Sequence, residues 1–143
     1  MTIADLATVA HLAGQLGYPT TVEDLTIRYQ ALQNSKDYGF FVARSETGKI
    51  ADFLQVNREA ASLLSSSRAE IAALVVDHQK RGLGIGAALL KAAEAWARVH
   101  QFPLLRIRSN TKRTDAHRFY QKNGFEIPKS WHLFTKEIEL SSS

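Results

Sequence analysis

The chain has 143 residues, 45% of them hydrophobic and 22% charged, with 18 Lys and Arg against 14 Asp and Glu for a formal charge of +4. That composition is ordinary for a globular protein of one domain, and the single domain is expected to span 1–143. There is no cysteine, which excludes disulfides, thiolate metal sites and a cysteine nucleophile, so any chemistry falls to oxygen and nitrogen groups.

In chain order, Leu6, Val9, Ala10, Ala13 and Leu16 recur at helical spacing over residues 4–16, and Gly17 with Pro19 ends that helix. Thr21, ahead of Val22-Glu23-Asp24, is placed to cap a second helix reaching about Gln33. Tyr38–Arg44 and Lys49–Val56 are apolar runs separated by Ser45-Glu46-Thr47-Gly48, a hairpin signal. Residues 59–68 are rich in Ala and Ser and are expected to loop over one end of the sheet. Glu70–Val76 is a buried-strand pattern. In the helix that follows, Ile85, Ala88, Leu89, Ala92, Trp96 and Val99 fall on one face. A strand at Leu104–Arg108, a helix at Lys112–Lys122 and a last strand at Trp131–Ile138 complete the pattern, with the terminal serines frayed.

The densest signal is the run from Leu74 to Leu90, where a strand passes through Asp77-His78-Gln79-Lys80-Arg81 into Gly82-Leu83-Gly84-Ile85-Gly86-Ala87 and then a helix. Glycines at alternate positions leave no Cβ in the way, so backbone N–H groups can converge on phosphate oxygens ahead of a helix N-terminus. Lys80 and Arg81 add positive charge. No Lys-Ser or Lys-Thr follows, which argues against a nucleoside-triphosphate loop. The dinucleotide fingerprint is met formally, but five polar or charged residues separate strand from glycines, and the later strand carries Arg106 and Arg108 where an acid is expected.

The remaining pattern, Gln79-Lys80-Arg81-Gly82-Leu83-Gly84, resembles the Gln/Arg-x-x-Gly-x-Gly/Ala signature of the GCN5-related N-acetyltransferase (GNAT) superfamily. Arg113-Thr114-Asp115-Ala116-His117-Arg118-Phe119-Tyr120-Gln121-Lys122-Asn123-Gly124-Phe125 resembles that superfamily's second signature, in the expected order and about 30 residues further on. The resemblance covers about residues 38–138. It implies an α/β fold with a central, mostly antiparallel mixed sheet flanked by helices, whose fourth and fifth family strands splay to admit acetyl-CoA. The family usually begins with a strand, and only Met1-Thr2-Ile3 stands in for it here, so that strand is expected to be missing or very short.

Carried onto this chain, the resemblance implies that Lys80, Arg81, Gly82, Leu83, Gly84, Ile85, Gly86 and Ala87 hold the pyrophosphate and pantetheine arm. Backbone groups of Leu74, Val75 and Val76 would face the thioester, where an N–H can stabilise the oxyanion. Asn110 and Arg113 fall where the family contacts cofactor, although the position seven residues before Tyr120 is often asparagine and is arginine here. Tyr120 matches the tyrosine that acts as general acid toward the departing thiolate, against the alternative of an aromatic filler, which describes Phe119 better. Glu70 is the candidate base, since several members place a carboxylate there; a solvated strand-end charge is the competing account.

The implied reaction is direct transfer of acetyl from acetyl-CoA to a primary amine. The string from Ser109 to Tyr120, together with Leu133-Phe134-Thr135-Lys136, resembles the subset that acetylates small amines such as aminoalkylphosphonates and aminoglycosides. Two alternatives stay open, a protein or peptide N-acetyltransferase and a non-catalytic acyl-CoA-binding module. The acceptor pocket is expected from the two N-terminal helices and residues 53–69, which match no motif.

The five histidines form no ligand-spaced pair, so no metal site is expected. No basic stripe interleaved with aromatics points to nucleic acid, and no continuous apolar run of 18 residues points to a membrane. A cytoplasmic enzyme with a small-molecule partner is expected, and the family makes a homodimer a reasonable further expectation.

Overall fold

A computed structural model of the chain describes residues 1–15, 17–76, 84–108, 114–130 and 132–141, with the backbone alone at Val76, Thr114 and Asp115. The first element is a 3-10 turn, Ile3–Asp5, running directly into helix α1, Leu6–Gln15. Gly17, with φ at +83°, lets the chain reverse before α2, Val22–Leu32. Thr21 caps α2 as its sequence predicts, its side-chain oxygen accepting from the Asp24 N–H at 3.1 Å.

Strands β1, Tyr38–Arg44, and β2, Ile50–Glu59, form the expected hairpin, closed by Ser45 N–H to Lys49 O at 2.7 Å and turning at Gly48 with φ +84°. Strand β3, Arg68–Val76, pairs antiparallel to β2, and β4, Leu105–Ile107, pairs parallel to β3, giving one four-stranded sheet in chain order. Helix α3, Ile85–Val99, makes the crossover between β3 and β4, and α4, Thr114–Lys122, follows β4.

The sheet is packed on both faces. One carries Leu54, Val56, Ala69 and Ile71 against Leu89, Leu90, Ala93 and Ala97 of α3, with Phe119 and Tyr120 of α4 at the margin. The other carries Phe53, Val75, Phe40 and Val42 against Val9 and Leu12 of α1 and Leu25 of α2. The sheet is mixed and flanked by helices, as the resemblance implies, and its antiparallel part precedes a single parallel pair.

Four expectations are corrected. The buried face of α3 is Gly86, Leu89, Leu90, Ala93 and Ala97, whereas Ala88 is exposed and Val99 is 77% exposed. The seam sets Leu89 and Leu90 among small residues, Gly86, Ala93 and Ala97, that admit the neighbouring elements closely. Strand β2 extends past Val56 to Glu59, because Asn57, Arg58 and Glu59 pair with Glu70, Ala69 and Arg68. The connection between β2 and β3 is correspondingly shorter than 59–68 and is tightened by a bridge between Ser62 and Ser65. Residues 132–141 form no regular element despite their strand pattern, and Leu133 and Phe134 are 85% and 89% exposed. Trp131, Ser142 and Ser143 lie outside the described residues.

Candidate active site

Among the described residues, strands β3 and β4 pair through Ala69 with Leu105, Glu70 with Arg106 and Ile71 with Ile107. Beyond that point β4 ends while β3 continues to Val76. The opening starts at an irregularity: Gln55 pairs with Ala73 and Val56 with Ile71, so Ala72 is an extra residue on β3. Such a bulge bends its strand and resets which face the following side chains meet. Accordingly Ile71 and Leu74 pack toward α3 while Ala73 and Val75 pack toward α1.

A cavity of about 890 Å³ occupies this gap and runs on beneath the first two helices. Ala72, Ala73, Leu74 and Val75 form one wall, with Ile107, Arg108 and Tyr120 opposite. The far end is built by the turn between α1 and α2, including Tyr18 and Thr20, and by Asp24 and Arg28 of α2. Phe53 and Gln55 of β2 floor it. The expected contribution of the N-terminal helices is thus present, and from 53–69 only Phe53 and Gln55 reach the cavity.

Tyr120 is held on α4 by its neighbours, its ring 6.1 Å from that of Phe125 and 5.5 Å from that of Phe119. Phe119 fills space against the buried cluster, and its Cζ lies 3.0 Å from where a Cβ on Gly86 would sit, so α3 and α4 approach closely only because residue 86 has no side chain. Gly84 precedes α3 with φ +75°, and a Cβ built there meets none of the described residues within 4 Å. The first-turn N–H groups of α3 receive no side-chain cap from residue 84. These features suit the phosphates of a nucleotide-derived cosubstrate. Ile85, Gly86 and Ala87 form that first turn. Lys80, Arg81, Gly82, Leu83, Asn110 and Arg113 lie outside the described residues.

Glu70 stands one residue before Ile71 on the edge of the gap, yet it is neither a cavity-lining group nor a solvated strand end. Its side chain is 17% exposed and lies 3.6 Å from Arg108 and 3.8 Å from Arg106. Arg106 also bonds Glu59 closely, Arg108 is 3.7 Å from Glu59, and Arg68 approaches Glu59 at 3.4 Å. Burial raises the Glu70 carboxyl above the usual range. The Arg108 and Arg106 charges oppose that rise, while the Glu59 charge and a hydrogen bond with Glu59 reinforce it, and the net shift is upward.

Sequence reasoning did not single out Glu59, or Asp24 and Arg28. The faces of β2 and β3 that carry Glu59, Glu70 and Arg68 read as polar residues near strand ends, and their convergence depends on a register that periodicity does not disclose.

A family model described as the acetyltransferase (GNAT) domain matches residues 36–127. The chain belongs to that family. Over 69 residues this GNAT domain is 44% identical to an aminoalkylphosphonate N-acetyltransferase of Salmonella typhimurium, a match covering 48% of this chain and 44% of that relative. It resembles the crystal structure of an aminoglycoside antibiotic 6'-N-acetyltransferase from Acinetobacter baumannii with TM-score 0.84 at 18% identity, over 97% of this chain and 96% of the other. Glucosamine-6-phosphate N-acetyltransferase from Arabidopsis thaliana is similar with TM-score 0.78 at 22% identity, over 97% and 95%. These two structural likenesses concern the fold.

Proposed function

We propose that this GNAT domain transfers acetyl from acetyl-CoA to the primary amine of a small molecule. The observation that carries the reading is the cavity lined by β3 from Ile71 to Val75 and by Ile107, Arg108 and Tyr120, where β4 pairs with β3 no further than Ile107 among the described residues. The same cavity continues to a polar wall under α1 and α2. One end suits a thin acyl arm and the other a small acceptor, and the likeness to an aminoalkylphosphonate N-acetyltransferase supports a small acceptor.

The cosubstrate, when bound, supplies an acetyl thioester. Gly84 to Ala87 at the start of α3 would take its phosphates, together with Lys80, Arg81, Gly82 and Leu83, while Asn110 and Arg113 remain proposed contacts by family position. Backbone along Leu74, Val75 and Val76, with no β4 partner among the described residues, would bond the acyl arm and its carbonyl oxygen.

A lysine-like amine, with pKa about 10.4, is neutral in about one molecule in two thousand at pH 7, a burden of roughly 4–5 kcal/mol. Glu70 takes that proton through the Arg108 side of the cavity by way of water, since it does not line the wall itself. The amine nitrogen bonds the acetyl carbon and loses its second proton to solvent, the carbon–sulfur bond breaks, and the Tyr120 hydroxyl gives its proton to the departing sulfur and is reprotonated from solvent.

Thiol release from acetyl-CoA across polyamines, aminoalkylphosphonates, aminoglycosides and peptides tests this, with no background from a cysteine-free protein. Amine-dependent release is expected, and Tyr120→Phe should lower kcat about 10²-fold while leaving acetyl-CoA binding intact. Binding that persists with no release for any acceptor would replace the enzyme with an acyl-CoA-binding module.

A further inference from the structure

The acceptor end of the cavity carries charge in an uneven arrangement. Its charged lining residues are Asp24, Arg28 and Arg108. Arg108 is engaged by Glu70 at 3.6 Å and Glu59 at 3.7 Å. Asp24 lies in the first turn of α2, where helix N–H groups offset its negative charge. Arg28 is different. It is exposed on α2, and no carboxylate of the described residues comes within 4.0 Å of its guanidinium. Asp24 sits four residues earlier, the spacing at which an acid and a base on one helix normally meet, yet the two form no ion pair. A planar fork of donors therefore borders the cavity with its charge uncompensated, the geometry that suits a phosphonate, phosphate or carboxylate.

We propose that the acceptor is a small primary amine with an anionic terminus, and that Arg28 is the specificity-determining residue that binds this terminus while the amine points to Tyr120 and the gap between β3 and β4. The proposal rests on the acetyl-transfer reading for the direction of the amine, but Arg28 binds the anion whether or not transfer occurs. Two features of the wall agree with it. The turn carrying Tyr18 and Thr20 lines the cavity beside Asp24 and Arg28, adding polar groups next to the guanidinium. Arg108 on the cavity lining is already held by Glu70 and Glu59, carboxylates it shares with Arg106, which leaves Arg28 as the lining guanidinium with no carboxylate partner among the described residues.

The test uses the full chain, with 2-aminoethylphosphonate, β-alanine and propylamine as acceptors of matched reach. Calorimetric binding in the presence of saturating CoA and thiol release from acetyl-CoA are measured for the native protein and for Arg28→Gln. The substitution sits on an exposed helix position, so folding should be unaffected, and circular dichroism checks that. The native protein should prefer the phosphonate or the carboxylate over propylamine at least tenfold. Arg28→Gln should weaken binding and kcat/KM for the preferred anionic amine ten- to hundredfold, with propylamine unchanged. Equal use of propylamine by the native protein, or an equal loss for all three in the variant, would overturn the Arg28 assignment while leaving acetyl transfer standing. Binding of an anionic amine that depends on Arg28, without thiol release, would do the reverse. Arg28→Lys separates charge from fork geometry: retention of half or more of the native preference would overturn the bidentate contact, and a loss approaching that of Arg28→Gln supports it.

Discussion

At the scale of single residues, the chemistry turns on how two carboxylates share three guanidinium groups. Glu59 and Glu70 both contact Arg106 and Arg108, while Arg68 reaches Glu59 alone. With the Glu70 carboxyl raised chiefly by burial, a base at this position is protonated until the pH passes above the ordinary carboxylate range. The acid limb of the profile of kcat/KM against pH should therefore fall above that range. Glu70→Gln should abolish the limb and lower kcat/KM about 10²-fold near neutral pH. Glu59→Gln removes one of the groups holding Glu70 up, and the limb should move to lower pH with acetyl-CoA affinity unchanged. A limb that stays fixed in Glu59→Gln would separate the two carboxylates functionally. Glu70 was legible in the sequence as a position, but its true surroundings were not. A residue before a glycine loop can be matched to a motif, whereas the groups around it, Glu59 of β2, Arg106 of β4 and Arg108 just beyond β4, meet only through register.

At the scale of elements, sequence pattern identified most of the helices and strands and misjudged which side chains make contact. Helix α3 shows the reason. Ala88 and Val99 share a helical face with Ile85, Leu89 and Trp96 by spacing, and Trp96 does pack on the core, yet Ala88 and Val99 are exposed and the buried seam is Gly86, Leu89, Leu90, Ala93 and Ala97. Small residues let the backbone approach, and a hydrophobicity count gives them little weight. The same close approach couples α3 to α4. A Cβ at residue 86 would stand 3.0 Å from the Phe119 ring, so Gly86→Ala requires the ring to shift by a few tenths of an ångström. Gly86→Val cannot be absorbed that way and should cost about 1–3 kcal/mol of stability, read from denaturant unfolding, and should displace Tyr120 with its helix. Loss of activity without loss of acetyl-CoA binding would locate the damage at Tyr120. Gly84 fails differently: a side chain there meets none of the described residues but must adopt φ +75°, costing about 1–2 kcal/mol. Gly84→Asp adds a negative charge beside the proposed phosphate position and should abolish acetyl-CoA binding. Residues 132–141 mark the opposite failure, since alternation there promised a strand and no partner strand pairs with them among the described residues.

At the scale of the whole molecule, the acceptor half of the cavity depends on α1 and α2, which no motif marks and which the domain must therefore hold by long-range contacts. Two of these join the first residues to the rest of the fold. The Tyr29 hydroxyl on α2 donates to the Met1 carbonyl at 2.8 Å. Arg44 at the end of β1 donates from Nη2 to both oxygens of Asp5, at 2.8 and 2.9 Å, and the Thr2 N–H donates to the same carboxylate at 2.8 Å. Asp5 is 6% exposed, and burial alone would raise its carboxyl; the Thr2 N–H and the Arg44 guanidinium outweigh burial and hold it below the usual range. A carboxyl depressed in the folded state contributes stability above its ordinary pKa, and that contribution is lost as the pH falls through the lowered value. Thermal unfolding of the native chain should therefore weaken progressively on acidification below the ordinary aspartate range. Asp5→Asn should flatten that part of the curve and cost about 2 kcal/mol near neutral pH, where the charged hydrogen bonds operate. Arg44→Ala should cost at least as much, because it leaves a buried carboxylate without its cation. Since α1 continues directly from Asp5, the acceptor wall should loosen first: in both variants the KM for amine should rise while the KM for acetyl-CoA, whose proposed contacts lie on β3 and α3, stays near its native value. A parallel rise in both constants would mean that the clamp supports the domain as one unit rather than the acceptor side alone.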